Sequence, residues 1–210
     1  MSANLGFRVL DYSTGTLVGA APRDDLLVVV PKRPTTLPAL DEGRASSVRI
    51  RDKRLYFETR RNALGDVTIA DVPPDTYAAA FLATGYVPAR AVVKAPLAEP
   101  LEVRLHRDAS FRFAGDDTLI VGEVVKAGGG AHTGFDVTFV DLSEAIPRHS
   151  VPLNAKGQFV VFVPEKQTTS GVKLLVEHAS GILTVVIPAV ILNRPNIARQ
   201  KPTSPVITVP

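Results

Sequence analysis

Short apolar runs separated by charged and turn-forming residues follow one another along the whole chain, and no long stretch keeps a helical period. Leu101, Val103 and Leu105 alternate with Glu102 and Arg104, the period-two signature of a strand buried on one face. The same reading predicts strands over 6–10, from about 17, over 26–30, one or two within 48–59, and over 67–69, 77–83, 89–93 and 101–105. Beyond residue 118 it predicts strands over 119–125, 135–142, 159–163, 172–178, 183–187 and 206–209. Residues 31–47, with three prolines and little periodicity, read as a long loop, and 193–202 as a long polar connection. The expected class is all-β.

One phrase occurs twice. Residues 62–65 read N-A-L-G and residues 154–157 read N-A-K-G, 92 positions apart. A T-G-Y at 84–86 has a fainter counterpart in S-G-I at 180–182. A spacing of about one small β-sandwich points to two copies of one unit. The expected domains are 1–108, carrying a long insertion at 31–61, and 115–210. Phe111 and Phe113 lie in the stretch between them and are expected to pack on something.

The first unit resembles the carboxypeptidase regulatory-like domain. The resemblance is carried by Thr14-Gly15, Gly65, Ile69, Val72-Pro73-Pro74, Thr76-Tyr77 and Gly85-Tyr86. It implies a transthyretin-like, or prealbumin-like, β-sandwich of about seven strands in residues 1–107, with a weaker second copy in 115–210. The expected fold is therefore two tandem transthyretin-like or Ig-like β-sandwiches. Asp75 stands where that family has a glycine after its prolines, and the second loop is longer than the family's. The family brings no catalytic residues with it. Physical chemistry gives the motif a structural duty. Two successive prolines fix φ and end strand pairing, so the chain can cross between sheets there. Tyr77 then offers an apolar body to the core and a hydroxyl to the backbone at the corner.

Composition narrows the function. Valine dominates the apolar set, and β-branched side chains suit a pleated surface. No cysteine is present, which excludes disulfides and thiolate metal sites and favours folding in a reducing cytoplasm. The first residues carry neither a basic region nor an apolar core of a signal peptide, so synthesis in the cytoplasm without a leader is expected. The most apolar stretch, 181–192, is 12 residues long and contains Pro188, too short for a membrane span. Net charge is +3; residues 1–108 hold 15 basic and 13 acidic groups, and residues 109–210 hold 9 and 8. Neither half is a polyelectrolyte, and general nucleic-acid binding is disfavoured.

Candidate chemistry fails for want of pattern. His106, His132, His149 and His178 form no H-x-x-x-H or H-x-H pair. Asp24-Asp25 and Asp116-Asp117 sit in turn contexts, and no EF-hand-type loop is present. The glycines at 128–130 join two strands and lack the phosphate-loop pattern; Ser46, Ser47, Ser143 and Ser150 lie in no nucleophile elbow. No catalytic residue, cofactor or metal is expected.

One segment is biased. Arg44, Arg49, Arg51, Lys53, Arg54, Arg60 and Arg61, with Tyr56 and Phe57 among them, stand against Glu42, Asp52 and Glu58. It reads first as a charged, solubilising hairpin, and second as a surface for a protein partner. The function expected from these observations is a non-enzymatic structural or adaptor subunit, of the kind found in phage tails and contractile injection systems. Its partners would be other subunits or further copies of itself, docked through sheet edges and the 31–61 segment. The alternative is a carbohydrate or cell-surface binding module, weakened by the absence of tryptophan and by only four tyrosines.

Overall fold

Fifteen strands and no α-helix make up the described residues of the computed structural model: 3–19, 26–32, 55–128, 135–144, 146–154, 156–163, 171–179, 181–190, 195–198 and 206–209. The chain divides into two units, Met1–His106 and Arg107–Pro210, and each holds its own hydrophobic core. Both are β-sandwiches.

In the first unit, β1 (Ala3–Asp11) runs antiparallel to β4 (Val67–Val72) and parallel to β7 (Leu101–Leu105). The two-residue β3 (Arg60–Arg61) lies beyond β4. The opposing sheet has β5 (Thr76–Leu82) between β2 (Leu27–Val29) and β6 (Ala89–Lys94). Period-two alternation sends Leu5, Phe7 and Val9 from one sheet, and Val28, Tyr77, Ala79 and Phe81 from the other, into one core. Phe7 and Phe81 meet edge to face, ring centroids 5.2 Å apart. The other face of β2 and β5 carries a second, small cluster: Val29, Ala80 and Leu82 are buried there, with Leu27 and Tyr56 packed against them.

The second unit keeps the central pairing, a first strand between an antiparallel and a parallel neighbour, but has four strands in its opposing sheet where the first unit has three. Here β8 (Thr118–Lys126) runs antiparallel to β11 (Gln158–Val163). It is parallel to β14 (Pro195–Ile197) and then to β15 (Val206–Val209), which follow one another along its length. The opposing sheet runs β10 (His149–Val151), β9 (Asp136–Asp141), β12 (Val172–His178), β13 (Gly181–Ile187). Ile120, Val124, Phe159 and Val161 face Val137, Phe139, Leu174, Val176 and Val185 across the core. Gly122 is the register partner of Phe159, and a Cβ at Gly122 would meet that ring at 2.4 Å. The buried aromatic ring therefore takes the room a side chain on β8 would need.

Three expectations are corrected or refined. The connection expected over 193–202 contains strand β14. A three-residue strand opened by a proline leaves no alternating apolar signature. Its Asn196 is buried and donates from its side-chain amide to the Leu119 carbonyl at 3.1 Å. The strand expected from residue 17 is a single bridge, Leu10 to Leu17, and residues 20–25 lie outside the described residues. The stretch holding Phe111 and Phe113 packs within the second unit, where the Arg107 guanidinium lies 4.3 Å from the Phe111 ring centre and 4.8 Å from that of Phe162.

Candidate functional site

The repeated Asn-Ala-x-Gly phrase builds the same turn twice. Asn62 Oδ1 accepts hydrogen bonds from the backbone N–H groups of Leu64 and Asp66, both at 2.9 Å. Asn154 Oδ1 does the same for Lys156 at 2.9 Å and Gln158 at 3.0 Å. Gly65 (φ +84°) and Gly157 (φ +75°) take the left-handed conformation that an L side chain resists. In each unit this turn delivers the strand that pairs antiparallel with the unit's first strand.

The Val-Pro-Pro-Asp-Thr-Tyr phrase is a corner. It carries the chain from β4 in one sheet to β5 in the other, and the buried Tyr77 donates its hydroxyl to the Pro73 carbonyl at 2.8 Å. Burial, and then the negative charge of Asp75, push the Tyr77 pKa up, so the phenol stays a donor. Asp11, at the end of β1, accepts from the N–H groups of Ser13 and Thr14 and from the Tyr86 hydroxyl at 2.9 Å. Asp141, at the end of β9, holds Ser143 and Ile146 in the same manner. Asp66 is almost fully buried and accepts hydrogen bonds from two of the Arg8 guanidinium nitrogens, Nε at 2.7 Å and Nη2 at 3.0 Å. The hydrogen bond from Arg8 lowers the Asp66 pKa; burial opposes it, and the Asn62 amide adds to it. These groups shape turns and corners.

The histidines are dispersed. His106 stacks on Tyr12 at 4.0 Å, His178 on Phe135 at 4.6 Å, and His149 leans on Phe139 at 5.1 Å. His132 lies outside the described residues. Among the described residues no three His, Cys, Asp or Glu side chains gather as a metal site would need. No helix there is long and apolar enough to cross a membrane.

Of the expected partner-contact residues, Arg44, Arg49, Arg51, Lys53 and Arg54 lie outside the described residues, as do Asp24, Asp25, Gly129 and Gly130. Tyr56 is half-buried against the small outer cluster and bridges to Pro31. Arg61 donates to the Gly19 carbonyl. Arg60 is exposed, with Glu58 3.8 Å away. The first unit's own fold therefore engages Tyr56 and Arg61, while Arg60 points to solvent.

Sheet edges were expected to dock a partner; which edge is open, β13, was not readable from residue patterns. Ile182 (67% exposed) and Val186 (48% exposed) project from β13 with the exposed Thr184 between them. The strand is the last of its sheet, and among the described residues no strand pairs with its far side. No charge or proline interrupts its seven residues. On β6, the comparable margin of the first unit, the exposed Val92 is flanked on the same face by Arg90 and Lys94. The outer face of β11 is sheltered differently, since Phe162 lies under Arg107.

No family model matches the chain, and no curated protein sequence matches it. Among solved structures it is similar to the TIE protein of Bacillus anthracis, at 9% identity and a TM-score of 0.33. That alignment covers 99% of this chain and 33% of the other, so the chain spans about a third of that protein's length. It is also similar to a streptococcal ancillary pilin, at 15% identity and a TM-score of 0.29, over 100% of this chain and 68% of that one. A cell adhesion protein from Bacteroides ovatus aligns at 12% identity and a TM-score of 0.28, over 92% of this chain and 88% of that one. Likeness at these scores assigns no role to any residue here.

Proposed function

We propose that the chain is a non-enzymatic structural or adaptor subunit that docks into a larger protein assembly through its sheet margins. The observation that supports this most is the uncharged outer margin of β13, with Ile182 and Val186 turned to solvent. An open, apolar, β-branched strand edge is a template for another chain and is normally blunted when it has no partner. The polar groups point the same way, because Asp11, Asp66, Asp141, Asn62, Asn154 and Tyr77 are all engaged in turns and corners.

Within that class we infer a particle of the phage-tail or contractile-injection type, assembled in a reducing compartment. Its support is a chain of 210 residues without a cysteine, stabilised by two separate cores. The test is size fractionation of a native lysate followed by mass spectrometry of the proteins that co-migrate with the chain. Sheath, tube or baseplate proteins in the same large particle are the expected result; recovery only as a small free species would overturn the reading. Carbohydrate-binding surfaces generally present exposed aromatic rings. The half-exposed group that comes nearest, Phe111, Phe113 and Phe162, is occupied by the Arg107 guanidinium.

A further inference from the structure

We propose that β13 is a self-pairing edge: two copies of this chain join antiparallel β13 strands about a two-fold axis at Thr184, merging two four-stranded sheets into one of eight. The proposal rests on the assembly reading above and names one of its contacts. Thr184 is the midpoint of Gly181–Ile187, so this register sets Ile182 of each copy against Val186 of the other. Directly opposed β-branched side chains on one face are favourable cross-strand pairs.

Charge selects the occupant and its direction. On the outer face, Val186 is beside Lys173 of β12 and then Val140 of β9, whereas Ile182 is beside Glu177 and then Asp136. The face is thus basic at one end of β13 and acidic at the other, with an uncharged middle of Leu175, Thr138 and Thr184. Antiparallel pairing with a second copy continues each basic row into the other copy's acidic row. Parallel pairing would align like with like, and a uniformly charged partner would meet repulsion at one end. A two-fold contact also needs only one self-complementary patch, which this face supplies.

The absence of cysteine makes the test clean. In the full chain, T184C should form a disulfide-linked dimer under mild oxidation, because opposed Cβ atoms at a paired site lie about 5 Å apart. I182C alone should not, since its two copies would be four positions out of register, roughly 13 Å. A mixture of I182C and V186C should cross-link. Sedimentation of the unmodified chain should show a dimer, and V186K should raise its dissociation constant by at least about tenfold, because the substitution enters the contact twice. Val186 is exposed, so V186K leaves the core intact, and an unchanged circular dichroism spectrum, with melting compared at a dilution where both proteins are monomeric, confirms it. An unmodified chain that stays monomeric to about 1 mM, or a dimer indifferent to V186K, overturns self-pairing. If that monomer still enters a heteromeric particle, the assembly reading stands and the edge belongs to another protein. A monomer found in no particle overturns both.

Discussion

Asn62 and Asn154 each hold two backbone N–H groups that a tight turn would otherwise leave to water. Replacing either with alanine removes the acceptor and keeps the bend, so N62A and N154A should each cost about 1–2 kcal/mol by chemical denaturation. Tyr77→Phe keeps the ring and deletes only the bond to Pro73; a loss of about 1 kcal/mol is expected from the same measurement. Asp66 predicts a pH dependence. Its folded pKa lies below the unfolded value, so its contribution is present above the ordinary carboxylate range and disappears as pH falls through the lowered folded value. An acid titration of the first unit should show that loss, and D66N, less stable at neutral pH, should show a flatter acid limb. The turns and the tyrosine corner were legible in the sequence because their partners lie within five residues. The Arg8–Asp66 pair was not: 58 positions separate the two, and only the β1–β4 register, which sets Phe7 against Val67, brings them together.

At the level of elements, legibility followed pattern. Strands with one wet face announced themselves by alternation, as β7 did. By contrast β14 held three residues, a leading proline and a buried amide, so composition disguised it as a connection. The open margin of β13 was hidden for another reason: its run of apolar residues reads equally as a fully buried strand, and only sheet order shows that it comes last. Packing between elements is tested at Gly122. An alanine there would drive its Cβ into the Phe159 ring, and a core this full yields little. Gly122→Ala should destabilise the second unit by about 1–3 kcal/mol, read from its melting transition.

The two units share the pairing of their first strand with an antiparallel and a parallel neighbour and differ in their outer surfaces. The first unit buries Val29, Ala80 and Leu82 on the outside of its second sheet, where the second unit leaves Leu175, Thr138 and Thr184 at least partly exposed. The paired Asn-Ala-x-Gly turns, 92 residues apart, were visible in the sequence, but side chains facing away from the core carry no shared pattern, so the difference between the outer surfaces was not. Separate cores predict separable unfolding. N62A should shift one calorimetric component and N154A the other, and a single transition displaced by both would show that the units unfold together.

The parallel partnership of first and last strands has a mechanical consequence. In the first unit β1 and β7 lie side by side in the same direction over five register pairs, and in the second β8 and β15 do so over four. Tension applied through the residues flanking a unit pulls such neighbours past each other, loading the slanted, evenly spaced bonds of the ladder together. The antiparallel β5–β6 hairpin, pulled at Thr76 and Lys94, would instead open one bond at a time. Single-molecule stretching should therefore find each unit stiffest and slowest to yield along its own chain direction, the direction in which a tethered filament bears load.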